Sequence, residues 1–466
     1  MANQRNKSGT SSAGNRNSRP KSSSSSAGSR AAGSRSRSSA GTKNTSKTRS
    51  HSGEANAERT HNAERQSNRP SDEQRRRQAT RMKRKQAEAY RAKRQEYWVC
   101  VLVLFSIVLF LNVLGRTSPR FCDWYASYVL PIWINVYGRV TSLLPFSLGE
   151  WMIIAAVILT FAALVLWIPA CILKSNGSGQ RFRFYVQRYY RFYLVLFLDV
   201  ALVMTLNCFI LYNRTPLDPN PNAAKKQYSV EEVYLLREYI VSNVNELSAK
   251  LPRDNNGMLV YDGDFQKEAV KALKGISEEY PLLDGWMPKV KNMNIFSHLL
   301  SQSYICGYYF PFSMEANVNP IMYLTNFPEC YCHELSHVRG FIYEDEANYI
   351  AYLACIGSED AMFRYSGYLS VLWYVEEALD RELQAHPEFE RPLTPINDMI
   401  YNDDQFLTAE TWEEVESGAL VSTETVEHIS DTITDTELKL NGVESGIQSY
   451  AEVVKQLLRY YDGTLY

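Results

Sequence analysis

Apolar residues along this chain are bunched. Before Tyr90 there are almost none beyond alanine; three unbroken apolar runs follow, at 97–115, 151–173 and 192–211, and after that apolar positions recur at helical spacing to the C-terminus. Each run is close to the ~20 residues a helix needs to cross a hydrocarbon core, so the pattern predicts three membrane spans. Between the first two, Trp124 to Pro145 is aromatic and partly apolar but interrupted by Pro131, Gly138 and Pro145. That reads as an interfacial or re-entrant element rather than a fourth span. Asp199 falls inside the third run, where a charge is costly. It is therefore either a functional residue or a carboxyl buried between helices.

Charge gives the spans a direction. The whole chain is nearly neutral, yet its first 96 residues hold 24 lysines and arginines against seven acids. Residues 1–96, rich in Ser, Gly, Asn and Arg, bury too little apolar surface to offset ordering entropy and are expected to be a disordered basic tail, with 74–95 helical beside the membrane. The loop between the second and third runs carries Lys174, Arg181, Arg183, Arg188 and Arg191 and no acid. The positive-inside rule puts that loop and the tail together in the cytoplasm and the C-terminal region outside, in a multi-pass cell-membrane protein. The basic leader is too long for a cleavable signal peptide. The lipid bilayer is the expected partner of the tail and spans, and no specific nucleic-acid partner is expected.

A linker at 214–228, with its Pro/Asn-rich part at 215–222, separates the 97–213 membrane region from a domain at 229–466. Ser229-Val230-Glu231-Glu232 has the capping-box pattern and opens a helix to about Leu251. Further helices are predicted over Phe265–Glu279, Met362–Leu379 and Gln448–Tyr461, with a polar, acidic stretch from Pro387 to about Thr425. Tyr304–Val318 is richer in aromatics than in helix formers and reads as a strand. Five cysteines (Cys122, Cys306, Cys330, Cys332 and Cys355) fall on the outer side, an odd number that implies no complete disulfide framework.

The chemistry is concentrated in Cys332-His333-Glu334-Leu335-Ser336-His337, followed by Glu344-Asp345-Glu346-Ala347-Asn348. Histidines four apart project from one helical face, so both imidazoles reach a single metal, and the intervening Glu334 is placed as a general base. Phe327-Pro328 suits the start of that helix, Gly340 its end, and a second helix runs from Glu344 to about Cys355. A hydrolytic zinc site wants three protein ligands and one water. His333 and His337 supply two, Glu344 is favoured as the third, and Glu346 is the alternative. Asn348, four residues after Glu344, is placed to take a ring N–H of a ligating histidine. Cys332 diverges from its neighbour His333 by about 100° and is not expected to ligate with it. Tyr450, His298, Asn317 and Asn319 are candidates for stabilising an oxyanion.

These residues resemble the zincin metallopeptidases of the glutamate-ligand branch, in which His-Glu-x-x-His is completed by an acidic residue on a second helix. Asn348 stands where many members carry Asp, and His337 to Glu344 is a shorter step than in most. From Tyr97 onward the chain also resembles an uncharacterised family of bacterial multi-pass membrane proteins with a zincin-like domain. The resemblance implies three transmembrane helices joined to a mainly α, α+β zincin-like extracytoplasmic domain. It also implies an edge strand that pairs with extended peptide substrate, and Zn2+ as cofactor. The expected function is a membrane-anchored zinc metallopeptidase acting on a peptide or protein. The alternatives are a non-catalytic membrane sensor or scaffold with a zincin-like site, or a hydrolase of another envelope amide.

Overall fold

The structure, a computed structural model, describes residues 71–175, 179–217, 226–440 and 452–466. It is mainly helical, and three helices are long and apolar enough to cross a membrane. The first, α1, is Asp72–Thr117. Its charged N-terminal half is helical, as expected for 74–95, and belongs to the same helix as the first span. Pairs at i,i+4, Glu73–Arg77 at 2.7 Å and Arg84–Glu88 at 3.0 Å, suit that conformation. Residues 1–70, where the rest of the tail expectation falls, lie outside the described residues. The second span, α2, is Leu148–Ser175. The third begins with α3, Gln180–Met204, and continues through a π turn, Thr205–Phe209, and a 3-10 turn, Leu211–Asn213. Asp199 lies on the exposed flank of the third span rather than between helices.

The 119–141 segment is helical with two π turns, Tyr125–Val129 and Ile134–Gly138. These widen the helix so that residues four apart, Cys122, Ala126, Leu130, Ile134 and Gly138, share one buried face. Trp124, Tyr128, Ile132, Val136 and Val140 share the exposed one. The buried face touches its neighbours along its whole length. Cys122 Sγ donates to Gly115 O at 3.4 Å at one end, and Thr141 Oγ1 donates to Ser313 O at 2.9 Å at the other. The segment therefore lies along the boundary between spans and domain and does not form a fourth span.

The domain is built from α4 (Val230–Lys250), α5 (Phe265–Gly275), β1 (Lys291–Asn292), α6 (Ser297–Gln302), β2 (Gly307–Phe310), β3 (Glu315–Val318), α7 (Asn326–Val338), α8 (Glu344–Ile356) and α9 (Ala361–Ala385). It continues with α10 (Asp398–Asp403), α11 (Ala409–Ser417), α12 (Thr423–Leu440) and α13 (Glu452–Tyr461). The capping box opens α4 as its sequence demands. The strand expected over 304–318 is a hairpin, and the acidic stretch after Pro387 contains α10 and α11. The sheet order is β1-β3-β2, with β1 parallel and β2 antiparallel to β3. Helix α7 sits among this sheet, α5, α8 and α9, over a core that includes the fully buried Tyr349, Tyr352, Phe363 and Tyr365.

One buried ion pair ties the sheet to the membrane region. Glu315, at the start of β3, pairs with Lys291 of β1, and both side chains are almost wholly buried. The same carboxylate accepts from the N–H groups of Leu148 (3.2 Å) and Gly149 (2.9 Å), the otherwise unpaired donors at the start of α2, and from Ser313 Oγ at 2.7 Å. Glu150 reaches back, accepting from the N–H groups of Ile295 and Phe296 at 2.8 and 3.0 Å. The third span is held as firmly. Asn207 Nδ2 donates to Pro311 O at 2.8 Å, and Tyr343 OH donates to Tyr212 O at 2.5 Å.

Removing one partner of a buried pair leaves an uncompensated charge and costs about 3–5 kcal/mol. Glu315→Ala should lower the unfolding midpoint in detergent by a corresponding amount. Glu315→Leu combined with Lys291→Met should recover most of that loss; equal loss in both variants would show that the ion pair is not what holds the strand to α2.

Candidate metal centre

Helix α7 is fixed at its start by Thr325 Oγ1 donating to Asp403 O (2.8 Å) and Asn326 Nδ2 donating to Gln405 O (2.9 Å). Its end is set by Gly340, whose φ of +101° is left-handed and favours glycine. Gly340 N–H bonds to His337 O at 3.0 Å and Phe341 N–H to Ser336 O at 3.1 Å, a Schellman closure. A Cβ at Gly340 would also lie 2.9 Å from Leu130 Cδ2. This turn aims the Phe341 carbonyl at the His337 ring, where it stands 2.7 Å from Nδ1. With Nδ1–H donating there, His337 is held in the tautomer whose Nε2 lone pair is open.

The three acids that open α8 have separate roles. Glu344 faces both imidazoles, 3.3 Å from His333 Nε2 and 3.6 Å from His337 Nε2. Asp345 accepts from Gln456 Nε2 of α13 at 2.9 Å. Glu346 is buried, accepts from Leu217 N–H at 2.5 Å and pairs with Arg214 just beyond the third span. Glu346 therefore anchors the linker, and Glu344 is the acid brought to the histidines.

Donor atoms of His333, His337 and Glu344 all lie within 4.8 Å of one another. Ligands about 2.1 Å from a tetrahedral ion are separated by about 3.4 Å, close to the two Nε2–carboxylate distances. The donor set and its spacing fit a divalent metal. Glu334, between the histidines, is 3% exposed, and its Oε2 has no hydrogen-bond partner among the described residues. A buried carboxylate oxygen left open next to such a cluster is what a water-activating base requires.

Burial and proximity shift the site's titrations apart. Burial opposes the charged form of His333, but the hydrogen bond and charge of Glu344, with the charges of Glu334 and Glu329, outweigh it and lift this imidazole to about 10. Burial depresses His337 to about 4, with Glu344 opposing the shift. Burial raises Glu334 to about 8; His333 opposes that rise, and Glu344 and Glu329 add to it.

Other groups than Asn348 face the histidine Nδ1 atoms. Asn348 is half-buried, and among the described residues no hydrogen bond joins it to either histidine. Phe341 O serves His337 instead, and Glu329 Oε1 lies 3.9 Å from His333 Nδ1. Glu329 is four residues before His333, so the i,i+4 spacing that identified the histidine pair also points to it. Asn319 Nδ2 donates to Ser301 Oγ at 2.9 Å and Asn317 Nδ2 to Tyr308 O at 3.1 Å, so both asparagines brace the hairpin. His298 is on the exposed face of α6 beside Gly418, and Tyr450 lies outside the described residues. Cys332 is fully buried with its Sγ 3.8 Å from Cys355 Sγ, turned to the α7–α8 interface.

Gly307, at the start of β2, has a role that sequence alone did not reveal. A Cβ there would stand 2.6 Å from both Glu334 Oε1 and Asn317 O. Gly307→Ala should therefore destabilise the protein by about 1–3 kcal/mol through overpacking. Adding Glu334→Ala should recover part of that loss in thermal unfolding; no recovery would mean that Glu334 does not fill the space above Gly307.

No curated protein and no solved structure matches the chain. A family model described as a protein of unknown function, DUF3810, matches residues 125–458, which take in most of the 119–141 segment, the second and third spans and the whole His/Glu cluster. With most of its length so matched, the chain belongs to the DUF3810 family.

Proposed function

We propose that this protein is a membrane-anchored zinc-dependent metallopeptidase that hydrolyses peptide bonds on the extracytoplasmic side, through a zincin-like domain. The observation that carries the reading is the convergence of His333 Nε2, His337 Nε2 and Glu344 beside the unpartnered Oε2 of Glu334. Those three residues would hold the ion. When bound, zinc lowers the pKa of water and polarises the scissile carbonyl. The protein's own groups do the rest. Phe341 O keeps His337 in register through Nδ1, Glu329 faces Nδ1 of His333, and Glu334 Oε2 accepts a proton from the attacking water. As the water oxygen bonds to the carbonyl carbon and the C–N bond breaks, that proton passes to the leaving amine nitrogen. The extracytoplasmic placement is supported by the basic flank of the third span, which puts its far end, where the domain sits, outside.

Purified protein should contain one zinc per chain and cleave casein. Glu334→Gln should keep the zinc and lose about 10²-fold or more in turnover, whereas His337→Ala should lose both. Zinc retained by Glu334→Gln with undiminished turnover would rule out Glu334 as the base.

Zinc binding must displace the proton that Glu344 holds on His333, whose pKa lies near 10 in the metal-free site. Below that pH the protonated form competes with metal. Apparent zinc affinity should fall at least about tenfold for each pH unit lowered between about pH 9 and pH 6, as competition titrations would measure. A flat profile would mean that Glu344 does not hold a proton on His333 in the metal-free site.

A further inference from the structure

The β2 strand has β3 on one side and no strand of the described residues on the other, so it is the edge strand of the sheet, the position at which an added extended chain pairs. Its two ends lie in different surroundings. At one end Gly307 is packed against the Glu334 side chain. At the other, Phe310 crowds Gly149 at the start of the second span, where a Cβ would be 2.8 Å from its ring, and the next residue, Pro311, accepts from Asn207 of the third span.

The depth of that second end follows from helix geometry. The apolar run 192–211 is about 30 Å long at 1.5 Å per residue, enough to fill the hydrocarbon core, and Asn207 is one turn from its outer end. Pro311 is therefore within about one helical turn of the outer boundary of the hydrocarbon. Thr205, Asn207, Cys208, Ile210, Leu211 and Tyr212 are all buried, and Asn207, Leu211 and Tyr212 face the domain, through Pro311, Gly340 and Tyr343. Tyr309 also bridges the two regions. Its hydroxyl donates to Asn207 O at 3.4 Å, and its ring centroid is 6.3 Å from that of His337. The 119–141 segment, which joins the first two spans on this side, exposes the apolar row Trp124, Tyr128, Ile132, Val136 and Val140, a composition that suits a membrane interface.

We propose that the substrate is a polypeptide anchored in the same bilayer, paired along the outer edge of β2 and cut about one strand length from where it leaves the membrane. The strand has four residues, which span about 13 Å. A chain emerging from the lipid beside Phe310 and running along β2 meets Glu334 within that distance. This inference rests on the peptidase reading above and adds the source of the substrate and the position of the cut.

The test uses full-length, zinc-loaded protein in liposomes. The probe is a casein peptide offered free, or joined to a palmitoyl chain through Gly-Ser spacers of increasing length, with cut sites read by mass spectrometry. The anchored peptide should be cleaved about tenfold or more faster than the free one, because confinement to the bilayer raises its effective concentration at the site. The cut should also stay at a fixed distance from the anchor, moving through the casein sequence as the spacer grows. Equal rates for free and anchored peptide, or a cut that keeps to one casein bond whatever the spacer, would overturn the inference while leaving the peptidase reading intact. No Glu334-dependent cleavage of either peptide would overturn both.

Discussion

The Glu344 carboxylate stands where two imidazole Nε2 atoms converge, and the rest of the domain can be understood as holding it there. Without a metal, three acids (Glu329, Glu334 and Glu344) crowd two histidines in a largely buried space, and the proton on His333 is what balances Glu344. Such a cluster is costly to bury unless something cationic joins it. The turn that delivers Glu344 is set by backbone constraints. Gly340 closes α7 in a left-handed conformation, its missing side chain admits Leu130, and the following carbonyl orients His337.

That turn is also where the membrane region meets the site. Leu130 of the boundary segment and Leu211 of the third span both approach Gly340, and Glu346, two residues past Glu344, is held by Arg214 and the Leu217 N–H. On the other flank Glu315 joins the central strand to the start of the second span, in the same hairpin whose Gly307 makes room for Glu334. Both walls of the site are therefore fastened to helices that enter the membrane. A domain cut free of its spans would lose the partners of Glu346, Glu315 and Gly340 together, so the site and its anchor are one structural unit.

Much of this was legible in the sequence because the signals were local. Hydropathy marked the three spans, Ser229 and Glu232 marked the start of α4, and the i,i+4 spacing of His333 and His337 placed both rings on one face. The choice between Glu344 and Glu346 was not legible. Both open the same helix, and what separates them is Arg214, more than a hundred residues away. The π turns of the 119–141 segment, which shift its buried face to every fourth residue, were hidden for a similar reason, since pattern reading assumes a regular helix. No hydrogen bond among the described residues joins Asn348 to either histidine, and the groups that face their Nδ1 atoms are Phe341 O and Glu329. Gly307 was beyond reach because nothing local requires glycine there; the need comes from a side chain on another element.

The most direct test of the central claim is zinc K-edge X-ray absorption on the zinc-loaded protein. The account predicts a first shell of nitrogen and oxygen only, at about 2.0–2.1 Å, with imidazole outer-shell scattering from two histidines. A sulfur shell at about 2.3 Å, or outer-shell scattering from fewer or more than two imidazoles, would contradict it.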